Sequence, residues 1–223
     1  MKEKYMKTLS KAVAVASLLS AGVMGAQVAN AEVSFNAALV SDYVFRGVSY
    51  SDNGLALQGG ADYSHESGLY VGTWLSNVDD GTDTDIEYDL YVGYGLETNG
   101  LEIDLGYTTY NYVDLDEGNT TEIYANITKG AVTASVYRDI DLYDSTYLGL
   151  AYSMELPEDL ALDLTAGYTI VDPDDEDDIY DVSATVSKSL EMVDVAFTIT
   201  NVDGDAAGAE DDTLFFLSVS KEF

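Results

Sequence analysis

Carboxylates recur at every second residue in parts of this chain. In the stretch 84–97, TDIEYDLYVGYGLE, Asp85, Glu87 and Asp89 alternate with Ile86, Tyr88 and Leu90. Side chains two apart on an extended strand share one face at roughly 7 Å, so three such acids repel one another unless water, cations or basic groups screen them. The same alternation puts Asp42, Gln58, Asp62, Glu102, Asp104, Glu122, Asp163, Asp181 and Asp194 on the equivalent face of other segments. One basic residue, Arg46, stands among them in the aromatic run SDYVFRGVSY. A set of this kind attracts cations and repels anions; it is poorly equipped for hydrolysis. His65 is the one histidine and lies in the turn HESG, so a serine nucleophile would have no second imidazole to use. Cysteine is absent, which leaves zinc and copper without their usual ligands. For hard cations the weak candidates are Asp174, Asp175, Asp177, Asp203 and Asp205, in two acidic segments at 172–178 and 203–212. Neither segment has the glycine at position six and the acid at position twelve of an EF-hand loop. A solvated acidic rim that gathers cations diffusely is therefore the reading taken, with an exchange of divalent ions with lipopolysaccharide phosphates as its extension. No catalytic residue and no cofactor are expected.

The elements that must position these residues begin after an export signal. Lys2, Lys4, Lys7 and Lys11 precede the apolar run AVAVASLLSAGVMG, and Ala29–Ala31 reads ANA, the order of a secretory signal peptide cleaved after Ala31. A membrane anchor is the weaker alternative, because the run is shorter than the roughly 20 residues a spanning helix needs. The remaining residues, 32–223, suit a single domain. They keep only Arg46, Lys129, Arg138, Lys188 and Lys221 as basic residues, out of 9 basic and 41 acidic in the full chain. That surface repels nucleic acid. Disorder is not indicated, since 47% of the residues are hydrophobic and 18 are tyrosine.

Periodicity of two predicts strands throughout. Ile86, Tyr88, Leu90, Val92, Tyr94 and Leu96 form one face of 84–97; Leu162, Leu164, Ala166, Tyr168 and Ile170, and Val193, Val195, Phe197 and Ile199, repeat the pattern. Twelve segments are predicted, at about 33–47, 55–64, 69–78, 84–97, 101–112, 120–128, 131–139, 145–156, 161–171, 179–188, 191–201 and 213–223. The segment 69–78 is ambiguous, because Trp74 falls opposite Leu69, Val71 and Leu75. Long connections alternate with short ones, and the long set holds twenty carboxylates and no Lys or Arg, against three carboxylates in the short set. A soluble sandwich gives no reason for loop length and charge to divide by end. An antiparallel up-and-down transmembrane β-barrel does, with short periplasmic turns and longer acidic extracellular loops.

If the apolar stripes face lipid, the carboxylate face lines the interior, and the pore-lining candidates are Asp42, Arg46, Asp62, Asp85, Glu87, Asp89, Glu102, Asp104, Glu122, Asp163, Asp181 and Asp194. Tyr43, Tyr63, Tyr94, Tyr107, Tyr152, Tyr168 and Tyr180 fall near strand ends on the apolar stripe, as an interfacial belt requires. The chain closes on LFFLSVSKEF, with Phe215, Leu217, Val219 and Phe223 in step. This ending resembles the C-terminal signal read by the barrel-assembly machinery of bacterial outer membranes; a plain final strand is the simpler reading.

The stretch SDYVFRGVSYSDNGLALQGGADYSHESGLYVGTWLSNVD (41–79), followed by EYDLYVGY (87–94), resembles the N-terminal half of the TorF-type porins, a proteobacterial outer-membrane family of unknown function. Beyond those residues only the strand pattern and Phe223 agree. The resemblance implies an outer-membrane barrel in a porin-like role and carries no substrate and no catalytic residues. Two functions follow as expectations. One is a passive channel for small solutes whose anionic lumen favours cations or neutral molecules; the other is a non-conducting barrel that binds a partner or strengthens the envelope. Its surroundings in either case are outer-membrane lipid and lipopolysaccharide.

Arg46 is expected on the inner face of the first strand, since a lipid-facing arginine costs about 2–4 kcal/mol at the bilayer midplane. There it would pair with interior acids such as Asp42, Asp62 or Asp89 near the outer end, either bracing the wall or narrowing the pore.

Overall fold

The computed structural model describes residues 31–79, 84–113, 118–171, 178–203 and 212–223. The expected export signal lies outside them apart from Ala31. Fourteen strands follow in chain order: β1 (Glu32–Val40), β2 (Val44–Phe45), β3 (Val48–Ser49), β4 (Ala56–Ser64), β5 (Leu69–Asp79), β6 (Thr84–Thr98), β7 (Leu101–Tyr112), β8 (Thr120–Lys129), β9 (Val132–Asp139), β10 (Thr146–Leu156), β11 (Leu160–Ile170), β12 (Ile179–Ser189), β13 (Asp194–Asp203) and β14 (Asp212–Glu222). Twelve of them, β1 and β4 to β14, form one closed antiparallel barrel, and β2 and β3 form a separate two-stranded hairpin. Closure is made by β1 against β14, with Asn36 opposite Glu222 and Val40 opposite Ser218.

The pleat sorts the side chains in the inverse of a soluble core. Along β6, Ile86, Leu90 and Val92 are exposed, while Asp85, Glu87 and Asp89 between them are buried. Leu105, Ile123, Leu148, Leu164, Val182 and Phe197 continue the outer apolar surface around the barrel, and Phe215, Leu217, Val219 and Phe223 finish it on β14 and the last residue. Inside, polar residues dominate. Trp74, ambiguous in the sequence, is buried with the interior set. The predicted belt tyrosines Tyr63, Tyr94, Tyr107, Tyr152 and Tyr180 are exposed, and half-buried Tyr168 stacks on Tyr180 with centroids 4.7 Å apart.

Interior tyrosines fit because glycines make room for them. Tyr70 lies opposite Gly93, Tyr91 opposite Gly72 and Tyr124 opposite Gly106 on adjacent strands. A Cβ at each of these glycines would run into the facing ring, so the ring lies directly on bare backbone.

Two expectations need correction. The first strand stops at Val40 rather than near residue 47, and the chain from 41 to 55 turns into the barrel. Tyr43 and Phe45 are consequently not on the outer stripe: Tyr43 is buried and Phe45 half-buried, packed against interior aromatic rings. Their alternation satisfies an inward hairpin as well as it would a membrane strand. Connection length also divides less cleanly than expected, since 80–83 is no longer than the short turn at 65–68.

Depth along the outer face should control the cost of a charge. We expect Leu90→Arg, in the middle of β6, to lower unfolding stability by about 2–4 kcal/mol, and Leu69→Arg, at the end of β5, by no more than about 1 kcal/mol; urea titration of the protein in lipid vesicles measures both.

Candidate functional site

The inward segment 41–55 organises the interior. Its tip is a two-residue turn in which Val44 pairs with Ser49 and Phe45 with Val48. Arg46 at φ 48° and Gly47 at φ 86° give this turn the left-handed backbone that matches the twist of a tight hairpin. Glycine adopts it freely, whereas arginine is held there against its preference. The base of the hairpin is fastened by Asp42, whose Oδ1 accepts from Ser49 Oγ at 2.6 Å and Ser51 Oγ at 3.1 Å. The Tyr43 N–H donates to Ser51 Oγ at 2.8 Å, and the Asp79 N–H, at the end of β5, donates to the Tyr50 carbonyl at 2.9 Å.

Around the tip the hairpin meets the wall in most directions. Tyr43 packs on Trp74 of β5 (centroids 5.3 Å apart) and Phe45 on Tyr110 of β7 (5.9 Å). Val44 clusters with Leu214 and Phe216 of β14. Gly47 sits so close to β12 and β13 that a Cβ would come within 2.8 Å of Val202 Cβ and 3.2 Å of Asp181 Cβ. The guanidinium of Arg46 lies 4.2 Å from the ring centre of Tyr147 on β10, 5.1 Å from that of Tyr137 on β9 and 4.6 Å from that of Phe45.

Arg46 is joined to Glu122 of β8 by two parallel hydrogen bonds, Nη1 to Oε1 at 2.7 Å and Nη2 to Oε2 at 2.9 Å. Tyr110 donates to the same carboxylate at 2.9 Å. Burial alone would lower the pKa of the guanidinium; the Glu122 charge outweighs it and carries Arg46 above its ordinary value. The pair is thus a bidentate link between hairpin and wall, flanked by aromatic rings that favour the Arg46 cation.

None of the three acids named as partners for Arg46 is the one it meets. Asp42 is in the hairpin itself, not on the wall, and serves Ser49 and Ser51. Asp62 takes the Tyr91 hydroxyl and, at 3.5 Å, Asn36 Nδ2. Asp89 faces Trp74 and Tyr110 across the neighbouring strands. Glu122 does belong to the predicted set, but its pairing with Arg46 was not expected.

The remaining predicted acids divide by depth. Asp85, Glu87, Asp104, Asp163 and Asp181 are buried. Asp104 accepts from Tyr70 Oη at 2.6 Å and from Asn126 Nδ2 at 3.2 Å. Glu102, however, is exposed beside the 99–100 turn, and Asp194 is half-buried at the start of β13; both sit at strand ends rather than deep in the interior. Asp203 ends β13 opposite Tyr180. Asp174, Asp175, Asp177 and Asp205 lie outside the described residues. Among the described residues no three His, Cys, Asp or Glu side chains are grouped as a metal centre would group them. His65 is in an exposed turn with Nδ1 2.8 Å from Ser67 Oγ.

Sequence reading missed the ring of Tyr110, Tyr137 and Tyr147 and the hairpin they enclose. The available signal was the pair Arg46-Gly47, a glycine turn inside an aromatic run, which marks a reversal rather than a continuing strand.

A family model described as "Bacterial protein of unknown function (Gcw_chp)" matches residues 25–218. Among solved structures, the KdgM porin superimposes with a TM-score of 0.59 at 8% identity, over 85% of this chain and 99% of that one. The COG4313 outer membrane channel from Pseudomonas putida F1 gives 0.57 at 13% identity, over 91% and 98%. The outer membrane protein Omp33 of Acinetobacter baumannii gives 0.50 at 9%, over 88% and 99%. At such identities the likeness is one of fold: a closed outer-membrane type barrel. No curated protein matches the chain.

Removing one member of the hairpin–wall pair should leave the other charge enclosed and unpaired. Arg46→Ala is expected to cost about 3 kcal/mol of unfolding stability, with Arg46→Ala/Glu122→Gln recovering part of it; chemical denaturation of the four members of the double-mutant cycle measures the coupling.

Proposed function

The chain belongs to the Gcw_chp family of bacterial proteins of unknown function, and from that premise we propose that it is an outer-membrane porin-like channel for passive diffusion of small solutes. The observation that carries this reading is the closed barrel with an apolar outer surface and an interior of buried polar residues, entered by a hairpin of its own chain. In this reading the segment 41–55 is the constriction. The barrel spans the membrane after export and cleavage following Ala31, is delivered by the assembly machinery through the strand ending at Phe223, and exposes its acidic loops among lipopolysaccharide. The likeness of residues 41–79 and 87–94 to the TorF-type porins supports the same reading, as does the fold shared with the KdgM porin and the COG4313 channel. We infer a preference for cations and neutral solutes, because enclosed carboxylates far outnumber Arg46, whose charge Glu122 already neutralises. The one histidine, His65, lies in an exposed turn, and the function is read as non-enzymatic.

A second reading, a barrel that does not conduct, is favoured by one specific observation: the hairpin touches β5, β7, β8, β9, β10, β12, β13 and β14 at its level.

Planar-bilayer recording separates the two. The wild type is expected to show small, cation-selective steps in a salt gradient, and Arg46→Ala larger and noisier ones as the hairpin loosens. Reproducible anion selectivity would overturn the electrostatic part; silence both in the wild type and in a variant with residues 42–51 replaced by a short Gly-Ser link would establish the non-conducting reading.

A further inference from the structure

The interior acids are not all served alike. Seven side-chain atoms among the described residues are buried without a hydrogen-bond partner, and five of them belong to four residues on one patch of wall: both amide atoms of Gln58, Glu87 Oε2, Asp89 Oδ1 and Thr108 Oγ1. Gln58, Ser76 and Glu87 are successive partners across β4, β5 and β6, so the long Gln58 and Glu87 side chains flank a small serine. Asp89 is two residues along the same face of β6. Thr108, opposite Tyr91 and Glu122, is diagonal to Asp89 across β6 and β7. The patch adjoins the hairpin, since Trp74, the partner of Asp89 on β5, is the residue Tyr43 packs on.

Glu87 and Asp89 are 2% and 1% exposed. Two carboxylates this close and this dry cannot both stay charged without a counter-charge. At Asp62, Asp104 and Glu122, tyrosine hydroxyls or Arg46 supply the stabilising bonds. Here Tyr43 and, at a marginal 3.5 Å, Tyr112 bond Glu87, yet Glu87 Oε2 and Asp89 Oδ1 keep no partner, and Arg46 is committed to Glu122. What remains is a buried pair of acids with unpartnered oxygens and, across Ser76, a carboxamide with neither amide atom bonded.

We propose that Glu87, Asp89 and Gln58 form a binding site for one hard divalent cation of the calcium class in the wall beside the hairpin. The two carboxylates balance its charge, Gln58 Oε1 is a neutral ligand, and water completes the six to eight oxygens such an ion takes. This site is separate from the acidic loops and independent of whether the barrel conducts.

The test is terbium luminescence, excited through the neighbouring Trp74, Tyr110 and Tyr112, on the chelator-treated full chain folded in detergent, with calcium as competitor. The wild type should show a saturable one-to-one signal that calcium displaces. Glu87→Gln/Asp89→Asn should lose it, whereas Asp174→Asn/Asp175→Asn/Asp177→Asn in the loop should keep it. Gln58→Leu, which leaves both carboxylates in place, should weaken it several-fold and guards against misfolding of the charge variant. A signal unchanged in Glu87→Gln/Asp89→Asn overturns the site. So does a wild type that binds neither ion while Glu87→Gln/Asp89→Asn melts at higher temperature, because the pair then holds a proton in place of a metal.

Discussion

Closure of the sheet is the constraint on which everything else depends. An apolar outer surface can meet hydrocarbon only if no backbone amide is left open at an edge, because lipid offers nothing to bond it. The chain meets this by joining its two ends: Phe35 and Phe223 exchange N–H to carbonyl bonds at 3.2 and 2.8 Å, extending the β1–β14 ladder to the last residue. The terminal phenylalanine is thereby both the end of the outer apolar stripe and a structural bond of the seam. Once the seam is closed, interior and exterior are defined, and each strand must supply two chemically opposite faces.

The interior then faces a problem of charge more than of packing. Acids at alternate positions of several strands cannot all be solvated in so small a space, and the chain has a single enclosed cation, Arg46, to set against them among the described residues. Tyrosine is the main answer. Its hydroxyl donates to a carboxylate while its ring fills volume, as with Tyr70 and Asp104 or Tyr91 and Asp62, and the facing glycines let the ring lie flat on the opposite strand. Glu87 and Asp89 stand out because one oxygen of each is left without a donor.

Much of this was legible in the sequence, for a reason that also sets the limit. Alternation is a local property, so the twelve barrel strands, the outer stripe through Leu90 and Phe215 and the buried face through Asp62, Asp85 and Asp104 could be read from neighbours two residues apart. The same locality misled at residues 41–47. Tyr43 and Phe45 alternate whether their environment is lipid or a set of interior rings, and nothing within that window distinguishes the two. The Arg46–Glu122 pair joins residues 76 apart and is decided by how far the hairpin reaches across the lumen, which no periodicity reports. Glu102 and Asp194 had the right parity but the wrong depth, because alternation states the face of a residue and not its distance from the end of a strand.

The position of Arg46 follows from these constraints together. A tight hairpin inside the barrel needs two left-handed residues at its tip, and Asn-Gly would meet that need with less strain. An asparagine there, however, would leave Glu122 without a counter-charge and the cleft between Phe45, Tyr137 and Tyr147 without an occupant. Arginine is the residue that can reach a carboxylate with two parallel bonds while presenting a flat cation to surrounding rings. The backbone cost of a positive φ is accepted at one residue so that the enclosed charge of Glu122 is balanced, and the same bond fixes where the hairpin stands in the lumen. A single side chain in this way balances Glu122 and anchors the hairpin inside the barrel.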